Sequence, residues 1–145
     1  MITNEVQRRN TDAHLRRFEE ALVNLKDKGG DEPTKLAQLE IDAVSAQASD
    51  LRAELDEYDR LRSGEVSTID ASSLAELSTL LIKARIARGW TQRQLADALG
   101  VAEQQVQRYE ATEYRSASLA RICDIAAALG MNVTERAELG GPSAA

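Results

Sequence analysis

The feature that most constrains the fold is one glycine, Gly100, which separates two stretches with helical spacing of apolar residues. Thr91 and Gln94 stand three positions apart, as in a capping box, and predict that a helix runs from Gln92 to Leu99. Glycine adopts the left-handed conformation at little cost, so Gly100 predicts a tight turn into a second helix from about Ala102 to Ala111. The sequence therefore predicts two short helices joined by a turn.

These two helices lie within a segment that predicts four. The first is expected to follow a Ser73 cap and to end near Gly89, and the fourth to run from about Ser118 to Leu129. In the third helix, Val106 and Tyr109 are predicted to face inward, which leaves the glutamines and Arg108 outward or sideways.

The polar face of the third helix has two interpretations. A helix that follows a glycine-containing turn has the geometry to enter a DNA major groove, where Gln pairs with adenine and Arg with guanine. On residue content alone, the simpler interpretation is a solvated helix face.

The full spacing decides in favour of the first interpretation, because it resembles the Xre or lambda-repressor-like helix-turn-helix family over roughly residues 74–130. The matching residues are Arg85, Ile86, Gly89, Trp90, Thr91, Gln92, Leu95, Ala96, Leu99, Gly100, Val101, Val106, Arg108, Tyr109, Glu110, Leu119, Ile122, Ala126, Leu129 and Gly130. The resemblance implies a five-helix-type DNA-binding domain.

The resemblance also implies roles for individual side chains. Gln92 would clamp a phosphate and support the recognition helix. Arg85 and Glu110 would form a partly buried ion pair between the first and third helices, which we interpret as structural. The set assigned to DNA binding is Gln92, Arg93, Glu103, Gln104, Gln105, Gln107, Arg108 and Arg115.

Within that set, the resemblance divides base contacts from backbone contacts. Base edges would be faced by Glu103, Gln104 and Arg108, whereas Gln105 and Arg115 would lie near the DNA backbone. Two positions depart from the family pattern. Ala102 stands where Ser or Thr usually caps the helix, and Glu103 would repel phosphate unless it accepts from a cytosine amine or simply favours the helix N-terminus.

Residues 1–64 predict a coiled-coil-like antiparallel helical hairpin. One helix is expected from a Thr11 cap to Lys28, and a second from about Asp31 and Pro33 to Arg62, with a glycine turn between them. The second carries a heptad pattern of apolar residues, formed by Ile41, Ala48 and Leu55 and by Ala37, Val44, Leu51 and Tyr58.

Two segments predict short strands. Residues 65–72 form a linker in which Val66 and Ile69 are compatible with a strand, and residues Met131 to Leu139 alternate in polarity at the end of a C-terminal domain placed at 73–139. Because a lone two-stranded ribbon is marginal in water, these strands would lie on the helices or be shared between subunits. The tail 140–145 is expected to be disordered.

The net charge of −6 is unusual for a DNA-binding protein, but it is unevenly distributed. Residues 1–64 hold 10 basic and 14 acidic side chains, whereas residues 74–130 hold 7 basic and 6 acidic ones. A DNA-binding surface needs local cations rather than a basic chain, so the charge predicts only weak non-specific binding.

Several classes of protein are disfavoured by the composition. No apolar run approaches a membrane span and the N-terminus lacks a signal-peptide pattern, so a cytoplasmic protein is expected. Cys123 and His14 are single and far apart, which predicts no disulfide, no metal site and no cofactor. No arrangement of nucleophile, acid and base indicates an enzyme.

Three functions remain open. The first is a dimeric transcriptional repressor that reads a palindromic operator in double-stranded DNA. The second is an antitoxin that neutralises a protein toxin and regulates its own operon, since a helical hairpin before such a domain resembles regulators related to HigA-type antitoxins. The third is an adaptor that has lost DNA affinity.

Overall fold

A computed structural model describes residues 1–141 and shows a mainly helical protein, as the sequence predicted. Its α-helices are α1 (Glu5–Gly29), α2 (Lys35–Arg62), α3 (Leu77–Ala87), α4 (Gln92–Leu99), α5 (Glu103–Ala111) and α6 (Leu119–Ala128), with a 3-10 turn at Leu74–Glu76. The C-terminal part has four α-helices, as the spacing of its apolar residues predicted, whereas the resemblance implied a five-helix-type domain. None of the helices in residues 1–141 is long and apolar enough to cross a membrane.

The α1 and α2 helices form the antiparallel hairpin that the two helical segments and the glycine turn between them predicted. Of the heptad residues, Ile41, Ala48 and Leu55 are buried, and the companion residues between them are at least partly buried. Ion pairs tie the start of α1 to the end of α2, where Arg8 donates to both oxygens of Asp59 at 2.7 and 2.8 Å. Because their side chains are partly exposed, these pairs add only modestly to the buried contacts between the two helices.

Both hairpin helices begin at caps other than the expected ones. Asn4 caps α1 by accepting from the Gln7 amide at 2.9 Å, so the helix starts before Thr11. The expectation failed because the first turns of α1 are largely polar and lack the apolar periodicity that marked the later ones. In α2 the cap is Thr34, which accepts from the Ala37 amide at 3.2 Å.

The predicted strands are wrong, since residues 1–141 contain none. In the linker, Val66 and Ile69 instead pack separately against the core as partly buried side chains. After α6, Val133 and Leu139 are 43% and 97% exposed, because no other segment of the described chain pairs with this backbone. Residues 142–145 of the predicted disordered tail lie outside the described residues.

One hydrophobic core joins the hairpin to the C-terminal helices. Tyr58 and Leu61 near the end of α2 belong to the same buried cluster as Leu81 and Ile82 of α3. Lys83 on α3 also pairs with Glu57 on α2 at 2.6 Å. The base of the hairpin is therefore anchored on the C-terminal helices. The boundaries of the N-terminal hairpin, linker and C-terminal domain stay predictions.

Candidate nucleic-acid interface

The turn between α4 and α5 is built by local capping. Thr91 and Gln94 form the predicted capping box, in which the Gln94 amide donates to Thr91 Oγ1 at 3.1 Å and the Thr91 amide donates to Gln94 Oε1 at 2.8 Å. At the other end, Gly100 adopts φ 67° and ψ 32°, and the Val101 amide returns to the Ala96 carbonyl at 3.0 Å. The left-handed glycine reverses the chain and directs α5 away from α4.

Helix α5 has one buried side and one exposed side. Val106 is completely buried and Glu110 is 4% exposed, so both face the other helices. At 3.6 residues per turn, the exposed residues fall within an arc of about 140°. These are Glu103, Gln104, Gln107, Arg108 and Ala111. Their amide and guanidinium groups are free to meet an external partner along one helix face.

The other residues assigned to DNA binding flank this face. Gln105 is partly buried at the side of α5, and Arg93 is exposed near the start of α4. Arg115 lies on the loop after α5, where its side chain is 83% exposed and approaches Glu113 at 3.4 Å. Solvent screens such an exposed pair, so Arg115 can exchange it for a phosphate at little cost.

The N-terminus of α5 carries an uncapped turn. Ala102 is its N-cap residue and offers no side-chain acceptor to the first amides of the helix. The helix dipole makes this end partly positive, and Glu103 supplies a negative charge in the first turn. A DNA phosphate that approached here would meet both open amides and a competing carboxylate.

Beneath the exposed face, Arg85 and Glu110 form an ion pair. Arg85 donates to the two Glu110 oxygens at 2.5 and 2.9 Å, and the two side chains are only 3% and 2% exposed. Arg85 also donates to the Trp90 carbonyl at 2.7 Å. The pair therefore joins the end of α3 to α5 in a place that water does not reach.

Gln92 extends this network toward the surface. Its Nε2 donates to Glu110 at 2.7 Å, so the first residue of α4 is held against the last turn of α5. The side chain has donor and acceptor capacity left, since an amide carries two N–H groups and one carbonyl. Gln92 can therefore brace α5 and contact a phosphate at the same time.

Two features here gave no sequence signal. Arg85 also donates to the Thr3 carbonyl at 2.7 Å, a backbone acceptor 82 residues away. In the loop after α5, Glu113 and Tyr114 have positive φ angles of 49° and 57°. The Tyr114 ring stacks on Tyr109 with centroids 5.8 Å apart.

The Tyr114 hydroxyl is buried and meets no hydrogen-bond partner among residues 1–141. Burial is the main cause that raises the pKa of this phenol above its usual value, and the neighbouring Glu110 adds to the effect. The ring therefore supports α5 from behind as a neutral side chain.

Comparison with known proteins bears on this surface. Residues 81–136 match the family model for a helix-turn-helix, of the Xre and lambda-repressor-like type. The match covers α4, α5 and α6, most of α3 and the segment after α6. A search of curated proteins and a search of solved structures gave no match.

Proposed function

We propose that this protein, in which residues 81–136 form an Xre or lambda-repressor-like helix-turn-helix domain of a DNA-binding transcriptional regulator, acts as a dimeric repressor of a palindromic operator. The observation that carries the proposal is the exposed face of α5, where two amides and a guanidinium lie together above a rigid, buried support. Helices of this kind enter the major groove with their polar face toward the bases.

The roles of the side chains follow from their chemistry. Gln104 pairs with an adenine and Arg108 with a guanine, because each presents two hydrogen-bonding atoms that match those base edges. Gln107 lies beside them on the same face. Arg93, Gln105 and Arg115 contact the backbone from the flanks, and Gln92 holds a phosphate while it braces α5.

Glu103 is assigned to a cytosine N4 amine, which is the base group that a carboxylate accepts from. A carboxylate at any position near phosphate would weaken binding. Within α5, Gln107 Nε2 lies 3.4 Å from Glu103 Oε1, so the carboxylate has an intramolecular partner when DNA is absent.

A dimer is proposed because one such module makes few base contacts, and because residues 74–130, with 7 basic and 6 acidic side chains, are nearly neutral and should bind DNA phosphates weakly. Linking two modules raises the effective concentration of the second at its half-site. A two-fold dimer would read inverted half-sites with centres about 34 Å apart, or a multiple of that distance. The hairpin is the proposed contact, since a shallow apolar groove on α1 is lined by His14, Arg17, Phe18 and Ala21.

The test of DNA reading begins with selection of bound sequences from a random pool by the full chain. We expect an inverted repeat. Replacing Arg108 by Ala should then cost about 1 to 3 kcal/mol on the selected site and relax the preference at one base position. Arg16→Ala is the matched control, because Arg16 is an exposed arginine on the hairpin. Equal losses by Arg108→Ala on selected and random DNA would refute base reading.

The test of the dimer uses two substitutions on α1. Ala21→Arg places a cation in the groove, and we expect it to shift the protein to a monomer in sedimentation at micromolar concentration. Val23→Arg is the control, since Val23 is 59% exposed and lies outside the groove lining. A dimer that survives Ala21→Arg would exclude the groove as the contact between subunits.

An antitoxin is the second candidate, supported by apolar side chains at the hairpin end away from the C-terminal helices. Val23, Leu36 and Leu39 are 59%, 69% and 58% exposed there. An apolar tip of this kind is typical of a surface that binds another protein. The test expresses a toxin encoded beside the gene and asks whether co-expression of the full chain restores growth. Restored growth that is lost on Leu36→Glu and Leu39→Glu would favour this candidate over a simple repressor.

A further inference from the structure

The N-terminal residues before α1 are bound tightly into the molecule although they have no helical structure. Ile2 is only 3% exposed and belongs to the shared core. The Thr3 amide and hydroxyl both donate to Gln7 Oε1, at 2.8 and 3.0 Å, and Asn4 caps α1. The backbone of Thr3 is therefore held from both sides, by the buried Ile2 and by the first turn of α1.

The held backbone presents its carbonyl to the buried cation. Arg85 Nη2 donates to the Thr3 carbonyl at 2.7 Å. A guanidinium carries five N–H groups, and three of those of Arg85 are directed to Glu110 and to the Trp90 carbonyl. The Thr3 carbonyl receives a fourth. A buried charged donor that loses its acceptor is costly, so the cation and the N-terminal residues hold each other in place.

From Arg85 the contacts lead directly to the surface proposed to bind DNA. Glu110 accepts from the guanidinium through both of its oxygens. One of these oxygens, Oε2, also accepts from Gln92 Nε2 at 2.7 Å, so the position of Glu110 affects that of Gln92. Arg85 is on α3, Gln92 begins α4, and Glu110 lies on the buried side of the last turn of α5. A displacement of the cation therefore moves the joint at which all three helices meet, including the helix that carries Gln104 and Arg108.

We infer that Ile2 and Thr3 are positioning residues for DNA recognition, acting through the Thr3 carbonyl on the Arg85, Glu110 and Gln92 network; this inference rests on the proposed function. They touch no DNA themselves. Ile2 fixes the chain, the carbonyl fixes the guanidinium, and the guanidinium fixes the relative placement of α4 and α5. A helix-turn-helix held only by its own helices would lack this external anchor.

The alternative is that Ile2 only adds to global stability. The two roles differ in where the protein loosens when Ile2 is replaced. A positioning role predicts local opening around Arg85, whereas a purely structural role lowers protection equally across the core.

Hydrogen exchange separates these outcomes in the full chain. The Arg85 Nε–H is compared by NMR with the backbone amide of the fully buried Val106. For Ile2→Ser we expect the Arg85 Nε–H to exchange on the order of tenfold faster relative to the Val106 amide. Ile2→Val, which keeps most of the buried side chain, should restore the original ratio.

Two controls identify the atoms responsible. Val6→Ser alters an apolar residue of α1 that is 58% exposed, and Thr3→Ala removes the hydroxyl but keeps the carbonyl that binds Arg85. Both should leave the exchange ratio within about twofold of the unsubstituted protein, because the carbonyl contact persists.

Binding to the selected operator at fixed salt completes the test. Ile2→Ser should weaken binding by about fivefold or more, the size of a typical coupling between sites, while Ile2→Val and both controls stay near the original affinity. Equal acceleration at Arg85 and Val106, or local opening with unchanged operator affinity, would overturn the inference. Failure of the unsubstituted protein to bind any DNA would overturn the proposed function first, before any substitution is compared.

Discussion

Removing the Glu110 carboxylate should destabilise the protein strongly. In Glu110→Ala, Arg85 stays charged at 3% side-chain exposure and loses two of its hydrogen bonds, and Gln92 loses its partner. Truncating one partner of a buried ion pair typically costs 3 to 5 kcal/mol, because the remaining charge is left uncompensated. We expect the free energy of unfolding to fall by about 3 kcal/mol or more, which is a large share of the total stability of a domain this size.

Urea unfolding followed by circular dichroism measures this loss as a lower midpoint at an unchanged slope. Glu113→Ala is the matched control, because Glu113 also pairs with an arginine but is 55% exposed, and it should cost less than about 1 kcal/mol. The double variant Arg85→Met with Glu110→Leu should lose less than the sum of the two single changes, by at least about 1 kcal/mol. An unchanged midpoint for Glu110→Ala would refute the reasoning.

Three further outcomes are expected. Tyr114→Phe should keep or raise the melting temperature at neutral pH, since the lost hydroxyl has no partner in the described chain. Because the pKa of Tyr114 is raised in the folded protein, ionisation of this phenol in the unfolded chain lowers the free energy of unfolding as the pH rises past the ordinary phenol value. Tyr114→Phe should therefore reduce unfolding above about pH 10. A lower melting temperature would mean that the hydroxyl is hydrogen-bonded. Arg8 lowers the pKa of Asp59, so the pair stabilises the protein above the ordinary carboxyl pKa of about 4, and this stabilisation is lost as the pH falls through the lower pKa of the folded state. Because the pair is exposed, it should contribute less than about 1 kcal/mol. Asp59→Asn should therefore flatten this part of the acid unfolding curve. Ala102→Ser should raise the unfolding free energy by about 0.5 to 2 kcal/mol by capping α5, a gain that denaturant titration would detect.

The parts of the fold that could be predicted are those whose signals are local. The range of α4 was predicted to the residue because Thr91, Gln94 and Gly100 encode its two ends within ten positions. The hairpin could be predicted for the same reason, because Gly29 and Gly30 mark a tight turn between two helical segments. The start of α1 was missed because a single polar cap, Asn4, precedes turns without apolar periodicity.

Non-local features could not be predicted in the same way. Alternating polarity from Met131 to Leu139 describes side chains only, and a strand also needs a neighbouring backbone, which residues 1–141 do not supply. The contact of Arg85 with Thr3 uses a carbonyl that every residue possesses, so nothing in the letters distinguishes it. For the surface of α5, the sequence predicted which residues are exposed, whereas their assignment to particular bases stays a prediction.

The core shared by the hairpin and the C-terminal helices has a consequence for how this protein can be divided. Helix-turn-helix modules are commonly treated as cassettes, but here Tyr58 and Leu61 of the hairpin complete the hydrophobic interior beneath α3. A cut in the exposed parts of linker 65–72 would leave two fragments, each with an apolar surface that only the other covers. The fragments should therefore remain associated after proteolysis. A fusion protein that contained residues 73–139 alone would expose core residues that the hairpin normally covers. In recombination, the unit that can be transferred intact is the hairpin together with the C-terminal helices.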